Sequence, residues 1–350
     1  MTIPKEVKNI ITQLEGAGFE AYIVGGCVRD FLMQKEPRDW DVTTNAKPQE
    51  IQKLFPESFY ENNFLTVTVL TKSSDESLKE IEITTYRSEA DYSDKRHPDT
   101  VSPALSLQAD LARRDFTVNA MAMDLKKTII DPFEGQRDLA KKILKTVGNP
   151  DERFGEDALR MLRAVRLATT LEFVIESETA AAIIKNSQSL AAVSGERIRD
   201  ELVKIIMSPN AASGIDLLHA YKLLQYIMPE LEENVGVGQN KHHIFDCYTH
   251  ALKALEYATK KKYSLHVRLA ALLHDVAKPR VKAGDGLHST FYNHEVVGAK
   301  LTLQILQRLK FANKDIEKIV KLVKWHMFYY DVEQVTESSV RRLVRNVGPE

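Results

Sequence analysis

A short apolar strand that runs into a glycine doublet constrains this chain more than any other feature of it. Residues 22–32 read Tyr-Ile-Val-Gly-Gly-Cys-Val-Arg-Asp-Phe-Leu, and residues 37–44 read Pro-Arg-Asp-Trp-Asp-Val-Thr-Thr. The pattern predicts a strand over 21–24, a turn at Gly25-Gly26, a short amphipathic helix from near Val28, and a second strand carrying Asp39 and Asp41. Strand alternation would put Asp39 and Asp41 on one face, roughly 7 Å apart. Hard oxygen ligands at that spacing suit Mg²⁺, which takes a few carboxylates together with substrate phosphate. A glycine doublet has no Cβ atoms, so backbone N–H groups and a helix N-terminus can approach a triphosphate closely. Each feature alone is common in turns and on exposed strands; in this order they describe a site for nucleotidyl transfer by two metal ions.

Gly25-Gly26-x-Val28-Arg29-Asp30 followed by Asp39-x-Asp41 resembles the head of the class II nucleotidyltransferases. These are the CCA-adding tRNA nucleotidyltransferases and bacterial poly(A) polymerases of the DNA polymerase beta superfamily. The resemblance implies an α+β protein: a small mixed-sheet head, then an all-α neck, body and HD domain. The expected divisions are 1–146, 147–238 and 239–350.

The composition bounds this reading. A chain of 350 residues with 43% hydrophobic residues suggests two or three domains with sizeable cores. The net charge of −1 gives no overall basic field, so any nucleic-acid surface must be local. Cys27 and Cys247 lie far apart, which argues against a disulfide framework and fits a reducing cytoplasm. The first residues hold no apolar signal core, and no run approaches 18 apolar residues. The expectation is a soluble cytoplasmic protein without a membrane segment.

Along the head, residues 5–18 and 48–55 read as helices, and 66–71 and 80–86 as strands separated by a polar loop. Glu82 shares a strand face with Thr84. It is either a third carboxylate beside Asp39 and Asp41, completing the catalytic set, or a solvated strand-face glutamate. Residues 86–101, with Arg87, Asp91, Asp94, Lys95, Arg96, His97 and Pro98, read as a long charged loop. In the resembled family such a loop helps to switch nucleotide specificity. A helix over 105–112 leads into Arg113-Arg114-Asp115-Phe116-Thr117-x-Asn119-Ala120. Adjacent arginines can clamp a triphosphate through charge-assisted hydrogen bonds, and the string matches the family's second motif. Asn119 supports the site or caps a helix. Asp131 and Asp138, in the strand–turn–helix that follows, read as cap and turn residues rather than catalysts.

From about residue 149 the pattern becomes helical. Residues 153–168 read as one amphipathic helix on which Asp157 and Arg160, three apart, share a face. Such a pair can read a base: the carboxylate accepts from an amino group and the arginine donates to a ring nitrogen, an edge that cytosine and adenine both present. Uracil and guanine would leave both side chains unpaired and be rejected. On pattern alone the pair is an ordinary surface salt bridge; the resemblance implies the base-selecting role. It also implies nucleotide-binding roles for Gly25, Gly26, Arg29, Arg113, Arg114, Asp115 and Asn119, with Arg163 and Arg166 further along the helix. Gly195-Glu196-Arg197-Ile198-Arg199 reads as a structural neck motif.

His250, the His274-Asp275 doublet, His294 and His326 stand in the order of an HD-type phosphohydrolase. Imidazoles around a bridging aspartate can bind one or two divalent ions (Mg, Mn, Ni or Fe) and activate a water. Lys278 can meet a phosphate, and Asp331 is a candidate last ligand.

The implied reaction is template-independent transfer of CMP and then AMP, from CTP and ATP, to a tRNA 3′ end. Mg²⁺ at Asp39/Asp41 would activate the 3′-hydroxyl and neutralise the triphosphate, and basic neck and body surface would hold the tRNA acceptor and T-arm by shape. The nearest alternatives are a poly(A) polymerase or an A-adding enzyme of the same class; the charged loop disfavours a CC-adding form. A more distant alternative is an HD phosphohydrolase whose degenerate head only binds nucleotide. Family members continue beyond the point where residues 348–350 end this chain, inside an expected HD-domain helix.

Overall fold

The computed structural model describes residues 2–37, 39–61, 65–90, 100–104, 106–240, 244–284, 286–327 and 336–348. The chain divides into two compact units, Met1–Arg160 with Phe173–Ala182, and Met161–Glu172 with Ile183–Glu350.

The first unit opens with helix α1 (Lys5–Gly16), strand β1 (Ala21–Val24), helix α2 (Gly26–Leu32), strand β2 (Asp41–Thr44) and helix α3 (Pro48–Leu54). Strands β3 (Ser58–Glu61), β4 (Thr66–Leu70), β5 (Glu80–Thr85), β6 (Arg87–Ala90) and β7 (Thr100–Pro103) follow. Helix α4 (Leu107–Ala112), strands β8 (Ala122–Met123) and β9 (Ile129–Ile130), helix α5 (Gly135–Lys141), strand β10 (Ile143–Leu144) and helix α6 (Pro150–Glu156) complete the run to helix α7 (Leu159–Leu171). Strand β11 (Val174–Ile175) pairs in parallel with β10 and so belongs to the same unit. Among the described residues the main sheet has seven strands in the order β3-β4-β5-β2-β1-β8-β9. Its pairs are antiparallel except β2 with β5, which are parallel and align Asp41 with Glu82. One face is apolar: Ile23, Val42, Val67, Ile81 and Ile83 pack with Val7, Ile11 and Leu14 of α1 and Ile51 of α3. Burying that face fixes the strand register, because a one-residue slip would invert every side chain.

Three expectations need correction here. Asp39 is not on a strand. β1 is four residues long and its ladder to β2 ends at Val24↔Asp41; the chain then turns at Gly25 into α2, so β1 offers no partner to a residue before Asp41, and Asp39 sits exposed in a bend. The charged segment 86–101 is not simply a loop, because its flanks pair as β6 and β7, from Arg87↔Pro103 to Ala90↔Thr100; Asp91, Asp94, Lys95, Arg96, His97 and Pro98 lie outside the described residues. The stretch 153–168 is not one helix. It breaks at Asp157, which is extended (φ −143°, ψ 106°) between α6 and α7. The Asp157 carboxylate accepts from the Leu159 amide at 3.0 Å and caps α7, and Gly155 weakens the turn before it.

The second unit takes in most of α7 and the end of helix α8 (Ser177–Asn186), followed by α9 (Gly195–Ile206), α10 (Ala211–Ala220), α11 (Leu224–Ile227) and α12 (Pro229–Glu232). Helices α13 (Cys247–Lys260), α14 (Leu265–Leu273), α15 (Lys278–Val281), α16 (His294–Arg308), α17 (Asn313–Lys324) and α18 (Glu337–Val347) complete it. The neck motif is structural: a Cβ on Gly195 would come within 2.4 Å of the Arg308 carbonyl, so α9 needs glycine at its close approach to the chain after α16. Arg166 of α7 donates to buried Glu201 of α9 at 2.7 Å. Among the described residues no helix is long and apolar enough to cross a membrane. Both cysteines are buried and free.

Candidate functional sites in the head and the HD region

In the head, Asp41 and Glu82 stand side by side on β2 and β5, on the face opposite the apolar core. Neighbouring strands are about 4.8 Å apart, so the two carboxylates share one edge of a cleft of about 330 Å³. Arg87, Arg113, Arg114, Thr84, Thr66 and Thr68 line the same cleft. Glu82 is thus the in-cleft partner of Asp41, rather than an isolated strand-face glutamate. Burial raises the Asp41 carboxyl to about 6; Arg114 pulls it down, and Glu82 and Asp39 push it up. Asp39, although off the strand, is therefore close enough to add its charge. Asp41 and Glu82, two acidic groups of one sign, share the edge of the cleft, an arrangement that a divalent cation relieves.

The first glycine of the doublet also has a packing use. Gly25 adopts φ +84°, and a Cβ there would lie 3.1 Å from Arg114 Nη1 and 3.4 Å from Asp41 Oδ2. Its missing side chain leaves room for the arginine and the carboxylate to sit against the turn. Arg29, next along α2, donates through Nη1 to Asn119 Oδ1 at 2.6 Å and through Nε to Asp30 at 2.8 Å. Asn119 donates in turn to Asp115 at 3.2 Å. Arg29, Asn119 and Asp115 thus form a brace that ties the doublet's helix to the Arg113-Arg114 segment, and none of the three lines the cleft. Asp131 caps α5 through the Gly135 and Gln136 amides at 2.7 and 2.8 Å. Asp138 accepts from Thr117 Oγ1 at 2.6 Å.

Sequence reasoning overlooked Asp110. It is fully buried, with Oδ1 accepting from Arg113 Nε and Nη2 at 3.0 and 2.8 Å and Oδ2 facing Arg114 Nη2 at 3.3 Å. Burial alone would raise its carboxyl, but Arg113 and Arg114 outweigh it and hold the group below the ordinary aspartate range. Its place three and four residues before the arginines is the signal that could have found it, since i,i+3 and i,i+4 pairs meet on a helix.

The base-reading candidates are arranged differently from a simple pair. Arg160 is held by Glu156 and by the Arg153 and Arg113 carbonyls at 3.3 and 3.4 Å, all within the first unit. Glu156 also binds Arg153. At the helix break the Asp157 carboxylate turns to the Leu159 amide and the Arg160 guanidinium to Glu156. Arg163 and Arg166 belong to the second unit.

The second unit contains a tighter cluster. Nε2 of His250 and of His274 lie 3.4 and 3.1 Å from Asp275 Oδ2, and those of His294 and His326 lie 3.3 and 3.7 Å from Oδ1. His250 and His274 approach through Nε2 at 3.1 Å, and His294 and His326 do so at 3.3 Å. The other nitrogens fix the tautomers. Nδ1 of His274, His294 and His326 meet the carbonyls of Ala271, Phe291 and Val323 at 2.8, 2.7 and 2.7 Å. A carbonyl only accepts, so each Nδ1 carries the proton and each Nε2 presents a lone pair. Lone pairs then face one another and a carboxylate, and Asp275 Oδ1 is buried with no hydrogen-bond partner among the described residues. Acceptors crowded around an orphaned oxygen fit metal ions: ligand atoms about 2.1 Å from a common ion lie about 3.0–3.4 Å apart. Two triads result, His250–His274–Asp275 and Asp275–His294–His326, sharing one aspartate. Lys278 Nζ donates to Asp275 Oδ2 at 2.7 Å and to Gln239 at 2.6 Å, on the wall of an adjoining cavity of about 420 Å³. Asp331 lies outside the described residues.

Comparison with known proteins agrees with this geometry. Residues 21–145 match the "Poly A polymerase head domain", 172–234 the "Probable RNA and SrmB-binding site of polymerase A", and 247–346 the HD domain. A CCA-adding enzyme of Geobacillus kaustophilus is 42% identical over 224 residues, covering 64% of this chain and 54% of that protein. One of Lactobacillus helveticus is 42% identical over 240 residues, covering 68% and 57%. The chain spans about half the length of the curated relatives it matches. Among solved structures, the Bacillus stearothermophilus CCA-adding enzyme in complex with CTP superposes with a TM-score of 0.70 at 28% identity, covering 99% of this chain and 76% of that one. A tRNA nucleotidyltransferase complexed with a primer tRNA and an incoming ATP analog shares the fold, with a TM-score of 0.68 at 22% identity, covering 97% and 91%. With a head that presents paired carboxylates opposite two arginines, followed by the matched RNA-binding and HD regions, the chain belongs to the nucleotidyltransferase family of the CCA-adding enzymes and poly(A) polymerases.

Proposed function

We propose that this protein adds CMP and then AMP to the 3′ end of tRNA without a nucleic-acid template, using CTP and ATP. The observation that carries the reading is the cleft in which Asp41 and Glu82 face Arg113 and Arg114. The 42% identity to CCA-adding enzymes and the CTP bound in the solved relative favour this substrate pair. A cytoplasmic location and a head, neck-and-body and HD division at 1–146, 147–238 and 239–350 fit the same reading.

In this mechanism Arg113 and Arg114 hold the triphosphate through charge-assisted hydrogen bonds. Glu82 and Asp41 face the attacking 3′-hydroxyl, and Asp39 adds its negative charge to that of Asp41. Mg²⁺ bound by Asp39 and Asp41 would supply Lewis-acid activation and neutralise the charge built up on the phosphates. Asp157 accepts from the amino group of cytosine or adenine, and Arg160, braced by Glu156, donates to the ring nitrogen. Arg163 and Arg166 are further nucleotide-binding candidates on this reading, and the body takes the tRNA acceptor and T-arm through backbone contacts.

The crowded acceptors around Asp275 favour a second activity, metal-dependent phosphoester hydrolysis in the HD region. His250, His274, Asp275, His294 and His326 would hold one or two divalent ions (Mg, Mn, Ni or Fe), which supply an activated water when bound. Lys278 would meet the phosphate.

The test uses purified protein, Mg²⁺ and tRNA transcripts ending at the discriminator, at CC and at CCA, with each labelled nucleotide in turn. Incorporation of C, C and A followed by a halt supports the reading. A long A tail would assign the poly(A) polymerase reaction instead, and addition of A alone a specialised A-adding enzyme.

A further inference from the structure

The two arginines of the cleft are neighbours in sequence, and nothing in their backbone makes both guanidiniums converge. Like charges side by side also repel. Both are gathered by Asp110, whose two oxygens take Arg113 Nε and Nη2 at 3.0 and 2.8 Å and Arg114 Nη2 at 3.3 Å. The same carboxylate receives Thr43 Oγ1 at 3.3 Å. Thr43 stands two residues beyond Asp41 on β2, hence on the same strand face. Asp110 has no exposed surface, so substrate cannot touch it.

We infer that Asp110 is a positioning residue for the triphosphate. It is the buried anchor that aims Arg113 and Arg114 into the cleft and fixes that clamp to the strand carrying Asp41. This rests on the nucleotidyl-transfer reading above. The side chain acts only through the arginines: its negative charge offsets their mutual repulsion, and its two oxygens set their directions. Bidentate geometry of this kind is what makes arginine selective for phosphate oxygens rather than merely attracted to them. The β- and γ-phosphates should therefore depend on Asp110, whereas the base and α-phosphate should not.

The experiment compares equilibrium binding of CTP and of CMP, with Mg²⁺, to the full chain and to Asp110→Asn and Asp110→Glu variants, with thermal melts run alongside. Wild type is expected to bind CTP at least about tenfold tighter than CMP. Asp110→Asn keeps the shape and removes the charge; it should cut that ratio by about tenfold or more, the worth of a charged hydrogen bond, with CMP affinity unchanged. Asp110→Glu keeps the charge and should restore the ratio to within about threefold of wild type. A purely architectural role would lower the fraction of competent protein and leave the ratio intact. The inference is overturned if wild type keeps its CTP preference and Asp110→Asn keeps it too, if CTP and CMP affinities fall together, or if Asn and Glu lower the ratio equally. If wild type itself shows no preference for CTP, the nucleotidyl-transfer reading falls along with the inference. Should Asp110→Asn fail to fold, the Glu variant alone decides: a ratio lowered by tenfold or more overturns the inference, and a near-normal one supports it.

Discussion

The adjacent glycines at the start of α2 should respond oppositely to a single methyl group. Gly25 has φ +84° and ψ −143°, a region essentially reserved for glycine, so Gly25→Ala costs about 1–3 kcal/mol of backbone strain. The added Cβ would also lie 3.1 Å from Arg114 Nη1 and 3.4 Å from Asp41 Oδ2. The arginine must yield by a few tenths of an ångström. For a unit of this size the strain corresponds to a fall in Tm of about 2–12 °C. A shift of about 1 Å at reacting groups costs about a hundredfold in rate, so this smaller displacement should lower kcat/KM for CTP by about tenfold. Gly26 is the first residue of α2, and the nearest atoms to a Cβ there are those of the Arg29 guanidinium, Nη2 at an ordinary 3.4 Å and Nη1 at 3.8 Å. Gly26→Ala should leave kcat/KM within about threefold and hold or raise Tm, since alanine is favoured over glycine in a helix by up to about 1 kcal/mol. Calorimetry and single-nucleotide incorporation on CC-ended transcripts measure both. Equal activity and equal Tm in the two variants would refute the argument that the first glycine makes room for the arginine and the carboxylate.

Other outcomes follow from the same geometry. Asp41→Asn should lower incorporation by about a thousandfold, the several kcal/mol that metal-assisted charge stabilisation is worth, while metal content in the HD region measured by mass spectrometry stays at the wild-type level. Asp275→Asn should do the reverse, and loss of both properties in either folded variant would contradict two separate sites. Asp157→Ala should narrow the discrimination of CTP over UTP by about tenfold or more in competition assays; unchanged selectivity would remove this side chain from base reading. In Glu201, burial pushes the carboxyl up, but Arg166, Arg163 and Lys204 pull it below its ordinary value. A carboxylate depressed on folding stabilises above its unfolded pKa, near 4.3, and that contribution fades as pH falls below it. Glu201→Gln should therefore cost about 2 kcal/mol at pH 7 and distinctly less at pH 3.5, as read by urea denaturation.

Much of this was legible in the sequence because local rules and long-range packing agree. The apolar alternation of 66–70 and 80–85 gives β4 and β5, and one of its polar positions, Glu82, lands beside Asp41 because Ile81 and Ile83 must face the core. The clustering of His250, His274, Asp275, His294 and His326 was readable from their order, since His274 and Asp275 follow directly on the apolar helix α14 and the other three histidines stand on or beside amphipathic ones. The misreadings have a common cause. Periodicity does not report where a strand begins, so it carries β2 back to Asp39, two residues ahead of its start. Nor does it report that an aspartate prefers to cap the next helix, so Asp157 and Arg160 were put on one continuous face. Asp110 went unnoticed because a buried acid in a six-residue helix looks like any polar position until its two arginines are seen to turn back on it.

The parallel pairing of β2 with β5 has a consequence for which length changes this head can absorb. β2 is locked on one side to β1 and on the other to β5, with Asp41 level with both Val24 and Glu82. One residue inserted into β5 ahead of Glu82 would bring Ile81 level with Asp41, turning an isoleucine towards solvent and an acid into the apolar layer. Extra residues in the polar connection 72–75 would leave every rung where it stands. Insertions and deletions should therefore be survivable between the strands and lethal to catalysis within them, even in variants that still fold.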